Sequence, residues 1–164
     1  MAKDDLGRFL VERGLLTRER LEEAYQHQVI YGGSLDTNLL EMGMVEEGPL
    51  LEALGECLKL PTVGVEIMGA VEPEKVKIFP QKLAQKYALI PFKLEGRNLW
   101  VALNAIPDLS TLDDIGFMLS VYLRPHAALE VRIHQALLRM FGVGLPARFE
   151  NLLAQIGGDV DEDK

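Results

Sequence analysis

The stretch LVERGLLTRERLEEA, residues 10–24, returns as LLEMGMVEEGPLLEA, residues 39–53. One constant offset carries Leu6 to Leu35, Leu10 to Leu39, Glu12 to Glu41, Gly14 to Gly43, Leu21 to Leu50, Glu23 to Glu52 and Ala24 to Ala53. Chance alignment over such a window gives about one or two identities, so this is an internal repeat.

In the first copy Leu6, Phe9 and Leu10 lie at i, i+3 and i+4, and the pattern stops at Gly14, a natural helix C-terminus. Thr17 is placed to cap a second helix whose apolar side carries Leu21, Tyr25 and Val29, with Glu22, Glu23 and Gln26 facing away. The second copy repeats the plan: Leu35, Leu39 and Met42 end at Gly43, and Leu50, Leu54, Cys57 and Leu58 form the next apolar face. Pro49 falls in a first helical turn, where its missing N–H does little harm. Residues 1–60 are therefore expected to form a four-helix repeat lobe.

From LPTVGVEIMGAVEPE onward the period changes, and Pro and Gly mark a connection. Pro80 opens a helix through Leu83 to Tyr87, and ALIPFKLEGRNLWVALN reads as a β-hairpin hinged at EGRN. Leu99, Val101 and Leu103 alternate with Trp100 and Ala102, which predicts one buried face and another at least partly covered. PDLSTLDDIGFML starts a further helix, with Ser110 and Asp113 spaced as a capping box; SVYLRP gives a third strand; a last helix carries Ile133, Leu137, Met140 and Phe141 and ends at Gly142. Residues 61–144 thus read as an α-β-β-α-β-α lobe with a three-stranded sheet, giving a mixed α/β (α+β) chain. In residues 145–164, Phe149, Leu152, Leu153 and Ile156 form one amphipathic helical stripe, a candidate docking stripe, before an acidic end expected to be disordered.

The formal net charge is -8, and the basic residues form no run that would neutralise a polyphosphate backbone, which argues against nucleic acid. No apolar run approaches a membrane span, and MAKDDLGRFL is too charged for a secretory signal, so the cytoplasm is the expected compartment. The single cysteine, Cys57, allows no internal disulfide and no CxxC pair. GGSLDTNLL has glycines but no Walker A lysine, and His27, His126 and His134 make no metal-binding pair. Asp108, Asp113 and Asp114 cluster, but no nucleophile or base accompanies them. The expectation is no catalytic residue, no metal and no cofactor of the usual kinds.

In the form LGRFLVERGLLTRERLEEAYQHQ, the repeat resembles the N-terminal domain of type II secretion and type IV pilus assembly ATPases. The resemblance extends through Tyr87 to Pro91, Leu99 to Ala102, Pro107 to Phe117 and Ile133 to Gly142, and covers roughly residues 4–142. It implies a regulatory and docking module normally linked to a hexameric ATPase motor absent from this chain. In some members the tandem motifs bind cyclic di-GMP; in others the domain binds the cytoplasmic part of an inner-membrane assembly protein. The implied groove, for nucleotide or partner, comprises Leu6, Gly7, Leu10, Gly14, Leu21, Gln28, Leu35, Leu39, Gly43, Leu50 and Leu54.

Carried over residue by residue, the family's Arg-Leu-Gly opening departs in both copies. The arginine positions are Asp5 and Ser34, the second glycine is Asp36, and the second closing glutamine is Cys57, so only Gln28 remains of that polar pair. Two lost cations and an added carboxylate disfavour a dianionic ligand, although Arg8 or Lys3 stands near Asp5 in sequence. The leading expectation is a non-catalytic docking domain that binds a protein partner, an inner-membrane assembly component or an ATPase. The chain would be cytoplasmic or held at the inner membrane through that partner. The alternative is a cyclic di-GMP sensor with a degenerate second half-site. An excised front domain and a free-standing chain both fit the acidic end, and the oligomeric state is open.

Overall fold

The computed structural model describes the backbone of residues 2–157 and the side chains of residues 6–157 other than Leu109. The acidic terminal residues and the side chains of Lys3 and Asp5 lie outside the described residues. The repeat folds as two helix pairs: α1 (Ala2–Glu12) with α2 (Arg18–Tyr31), and α3 (Leu35–Glu41) with α4 (Glu47–Leu58).

The two glycines end their helices in the same way. At Gly14, with φ 76°, the Gly14 N–H reaches the Val11 carbonyl at 3.0 Å and the Leu15 N–H the Leu10 carbonyl at 2.9 Å. At Gly43, with φ 66°, the equivalent bonds join Gly43 to Leu40 at 3.0 Å and Met44 to Leu39 at 3.0 Å. Only glycine takes this left-handed turn without a Cβ penalty, which is why both copies keep it. Thr17 caps α2 by accepting the Arg20 N–H at 3.1 Å, whereas Glu46 at the corresponding place makes no side-chain cap. Arg13 at the end of α1 also pairs with Glu56 of α4.

The Pro/Gly-rich connection is more ordered than its composition suggests. It contains a short helix, α5 (Val65–Gly69), and a 3-10 turn over Pro73–Val76. There follow α6 (Gln81–Tyr87), β1 (Ile90–Glu95), β2 (Asn98–Leu103), α7 (Leu109–Leu119), β3 (Tyr122–Ala127), α8 (Glu130–Phe141) and α9 (Ala147–Ile156). The sheet order is β1-β2-β3, with β1 antiparallel and β3 parallel to the central strand β2. A register shift between Pro91 and Lys93 disturbs the β1 edge, where proline has no N–H to give. At the other edge the connection adds a one-residue bridge: Val63 donates to the Ala127 carbonyl at 3.0 Å and Ala127 to that of Pro61 at 2.7 Å.

The expected alternation on β2 holds, with Leu99, Val101 and Leu103 fully buried and Trp100 half-buried. Buried apolar residues form one cluster from Leu10 and Leu39 of the repeat, through Ile90 and Val101 of the sheet, to Ile133 and Leu152. The capping box expected at Ser110 and Asp113 is absent. Asp108 takes the N-cap backbone position, so Ser110 already lies inside α7, and Asp113 is exposed.

Two helical glycines predict opposite outcomes for the same substitution. A Cβ at Gly116 would meet the Val121 carbonyl oxygen at 2.8 Å, backbone that closes the end of α7, whereas a Cβ at Gly48 meets nothing within 4 Å. Gly116→Ala should therefore destabilise by about 1–2 kcal/mol despite its better helix propensity, and Gly48→Ala should stabilise by up to about 1 kcal/mol. Urea unfolding of both variants measures the two signs.

Candidate functional site

The repeat residues expected to line a groove separate into three environments. Leu6, Leu10, Leu35, Leu39, Leu50 and Leu54 are at most 5 % exposed and belong to the core, and Leu21 is half-buried against it. Gly14 and Gly43 sit exposed at helix ends, with nothing within 4 Å of a built Cβ. Gly7 is buried where α1 approaches α2; a Cβ there would meet the Tyr25 hydroxyl at 2.7 Å and Leu21 Cδ1 at 2.8 Å. Gln28, half-buried, donates to the Gly33 carbonyl at 3.0 Å. The cavity that Leu6, Leu35 and Leu54 share with Ser34, Asp36 and Asn104 measures about 20 Å³, against the few hundred Å³ of an ordinary small-molecule site.

The polar chemistry gathers at the start of α3. Ser34, Asp36, Thr37 and Asn38 are all buried. Asp36 Oδ2 accepts the Glu130 N–H at 2.9 Å and Asn104 Nδ2 at 3.1 Å, while Ser34 Oγ bonds Asp36 Oδ1. Glu130 is the first residue of α8, so a carboxylate from the repeat satisfies an amide that its own helix leaves open. In return, Glu130 Oε1 accepts the Ser34 N–H at 3.1 Å, the Ser34 hydroxyl at 2.9 Å and the Thr37 hydroxyl at 2.7 Å. Asn104 Nδ2 also donates to the Ala128 carbonyl at 3.1 Å, tying in the chain just beyond β2.

The two carboxylates shift in opposite directions. Burial pushes the Asp36 carboxyl up, aided by the nearby Glu130 charge, against hydrogen bonds from Ser34 and Glu130 that favour ionisation. Burial also pushes Glu130 up, but the Thr37 hydroxyl and the Ser34 N–H and O–H outweigh it and hold the group below its ordinary value. Proton counting agrees. Ser34 Oγ lies within bonding reach of both carboxylates but has one proton, and an Asp36 that keeps its own proton lets Ser34 donate to Glu130.

A second cluster fastens α9. Arg148 forks onto Glu41 at 2.6 and 2.8 Å, and donates to the Tyr31 carbonyl at 2.9 Å and to Asn38 Oδ1 at 3.2 Å. Asn38 also donates to the Gly32 and Ser34 carbonyls at 3.0 and 2.8 Å, and His27 Nδ1 faces its oxygen at 2.6 Å. The stripe of Phe149, Leu152, Leu153 and Ile156 packs within the chain on α3 and α8, its first three members buried, with His134 stacked on Phe149 at 4.2 Å. Burial lowers the His134 pKa against the attraction of Glu130. Sequence reasoning missed Thr37, Asn38, Asn104, Glu130 and Arg148. The only local signal was the polar run Asp36-Thr37-Asn38 inside an otherwise apolar repeat.

Among the described residues no group of three His, Cys, Asp or Glu side chains could hold a metal, and no helix is long and apolar enough to cross a membrane. Cys57, the one cysteine of the sequence, is half-buried beside the core.

Tandem helix pairs packed on a three-stranded mixed sheet define a mixed α/β domain of the kind found at the N-terminus of secretion and pilus ATPases. The chain belongs to the MshEN domain family, whose model matches residues 58–147, the part that follows the tandem repeat. It is 27% identical over 159 residues to the type IV pilus assembly ATPase PilB of Myxococcus xanthus, covering 97% of this chain and 28% of that protein. PilB of Thermus thermophilus is 30% identical over 145 residues, covering 86% of this chain and 16% of that protein. The chain thus spans well under a third of the curated relatives it matches. Among solved structures, MshE with cdg superposes with a TM-score of 0.62 at 26% identity, covering 83% of this chain and 98% of that one. The N-terminal domain of XpsE shares the fold, with a TM-score of 0.61 at 24% identity over 87% of this chain and 97% of that one.

The Asp36 arrangement has a definite pH signature. A raised folded-state value means that the Asp36 contribution to stability is present below the ordinary carboxylate range and is lost as pH rises through the raised value. Glu130 has the opposite sign: its contribution is present above its ordinary value and is lost as pH falls through the lowered one. Asp36→Asn retains an acceptor for Glu130 and a donor toward Ser34. It should match or exceed the parent's stability at neutral pH and remove the decline on the rising side. Asp36→Ala should cost about 1–3 kcal/mol by leaving buried donors unpaired. Thermal unfolding across pH separates the three proteins, and equal losses for Asn and Ala would contradict the assignment.

Proposed function

We propose that this chain is a non-catalytic regulatory and docking domain that binds a protein partner in a type II secretion or type IV pilus-like machine, acting in the cytoplasm or at the inner membrane through that partner. One observation carries the reading. Asp36, standing where the resemblance expects a phosphate-approaching glycine, is 2 % exposed and spends its carboxylate on α8. The repeat leucines beside it are likewise committed to the core. A dianionic dinucleotide would have to displace these contacts and find new cations.

For a protein partner, apolar surface is available elsewhere. Phe117 is 89 % exposed, and Met118 and Tyr122 are each 62 % exposed, at the junction of α7 with the β3 edge. A groove of about 680 Å³ runs there, with Arg97 and Arg124 along it and Asp113 on its α7 side. Among the described residues no carboxylate pairs with either arginine; they bond the Ser120 carbonyl and Asn98 Oδ1 at 3.3 and 2.9 Å. On a chain of net charge -8, such a groove suits a partner segment that presents apolar anchors with carboxylates beside them. Pro125 removes a donor from the β3 edge, which favours side-chain docking over strand addition.

The second reading, a cyclic di-GMP sensor with a degenerate second half-site, is favoured by the likeness to MshE with cdg and by the retention of Gly7, Leu10 and Gln28 in the first copy. Titration calorimetry with cyclic di-GMP, with GTP and cyclic di-AMP as controls, separates the two. The docking reading predicts no saturable heat. It also predicts binding to the purified cytoplasmic part of an inner-membrane assembly protein, weakened about tenfold or more by Phe117→Ala with Tyr122→Ala at unchanged stability. Saturation at one cyclic di-GMP per chain would instead establish the sensor.

A further inference from the structure

Two exposed surfaces of the chain complement one another. Along α2, Glu19, Glu22, Glu23, Gln26, Val29 and Ile30 follow at spacings of three and four, so they share one face of the helix, and all of them are exposed. Ala24 is buried on the opposite side. Of the two arginines in the first turn, Arg20 lies off this face and Arg18 at its margin, so the carboxylates outweigh the cations along it. At its far end Val29 is 86 % exposed and Ile30 73 % exposed. Neither packs on the core, and β-branched side chains bring no gain in helix propensity there.

The groove between α7 and β3 has the opposite charge and the same apolar character. Phe117 and Tyr122 stand exposed in it, Leu112 and Leu123 line it, and Arg97 and Arg124 run along it. Its volume of about 680 Å³ lies in the range that takes in a whole small ligand, enough for the side chains of one helical turn. Asp113 on the α7 side repels an incoming carboxylate, which directs such a group to the strand side, where the arginines stand. Val29, Ile30 and Phe117 are all exposed within one chain, so the two surfaces can cover one another only between copies.

We propose that a second copy of this chain occupies the groove, inserting Val29 and Ile30 beside Phe117 and Tyr122 and turning the carboxylates of α2 toward Arg97 and Arg124. The inference uses the groove of the docking reading but not its partner. A copy of the chain and an assembly protein compete for one place, so self-association limits docking. The contact joins unlike surfaces: each pair leaves one α2 face and one groove open, and association runs on past a dimer or closes into a ring. The net charge of -8 on each copy opposes this at long range. Physiological salt screens that repulsion beyond about 8 Å and leaves the charges at the contact to decide.

Sedimentation equilibrium at physiological salt, from micromolar to millimolar protein, tests the contact. The mean mass of the parent should rise with concentration past that of a dimer. Val29→Ser with Ile30→Ser removes the face, and Phe117→Ala with Tyr122→Ala removes the apolar side of the groove. All these positions are exposed, so melting temperatures should hold, and each double variant should weaken association by about tenfold or more. Glu22→Lys with Glu23→Lys should weaken it as well. Mixed in equal amounts, the face variant and the groove variant should form a dimer and nothing larger, because one intact groove and one intact face remain between them. The face variant keeps its groove and should bind the purified cytoplasmic part of an assembly protein as the parent does, so loss of self-association and loss of partner docking are read separately. A parent that stays monomeric throughout, a variant that associates like the parent, or a mixture that stays monomeric would each overturn the proposal.

Discussion

A carboxylate of one helix closing the N-terminus of another is the contact on which the arrangement turns. Asp36, in the first turn of α3, accepts the Glu130 N–H at the start of α8, and Glu130 accepts three donors from Ser34 and Thr37 in exchange. Neither end can be left alone. A buried amide without an acceptor and a buried carboxylate without donors are each costly, so the exchange fixes where α3 sits against α8. Around it Asn104 ties in the end of the sheet's central strand, and Arg148 with Asn38 ties in α9. The tandem repeat is thereby held to the sheet by specific polar bonds as well as by shared core.

This reciprocal bond bears on function because of where it stands. Position 36 is a glycine in the binding motif that the sequence resembles, and here it carries a side chain turned inward. The second half of the repeat is thus stabilised from within by a carboxyl group of the chain itself. Among the apolar surface the domain leaves exposed is the patch at the end of α7 and along β3, bordered by arginines that carry no carboxylate partner among the described residues.

Much of the fold was legible because the signals were local. Gly14 and Gly43 ended helices at matching offsets, Thr17 capped α2, and the alternation Leu99, Val101, Leu103 marked the central strand. The short helix α5 and the 3-10 turn were missed because Pro and Gly in a brief segment read equally well as loop. Ser110 and Asp113 had the spacing of a capping box, but backbone geometry gave the cap position to Asp108. The polar centre was illegible for a different reason. Asp36 and Glu130 are far apart in the chain, and nothing in either neighbourhood says that one caps the other's helix. Sequence reading recognised Asp36 as an intruder in a motif; only the packing of α3 on α8 gives it a partner.

Amide hydrogen exchange at Glu130 tests this account most directly. The first amide of a helix has no partner within its own helix and ordinarily exchanges near the rate of an open chain. If Asp36 holds it, the Glu130 amide should be protected to the level of the α8 interior, and Asp36→Ala should remove that protection selectively while residues near Leu137 keep theirs. Fast exchange at Glu130 in the parent protein, or protection unchanged in the variant, would contradict the claim that this carboxylate joins the repeat to the sheet.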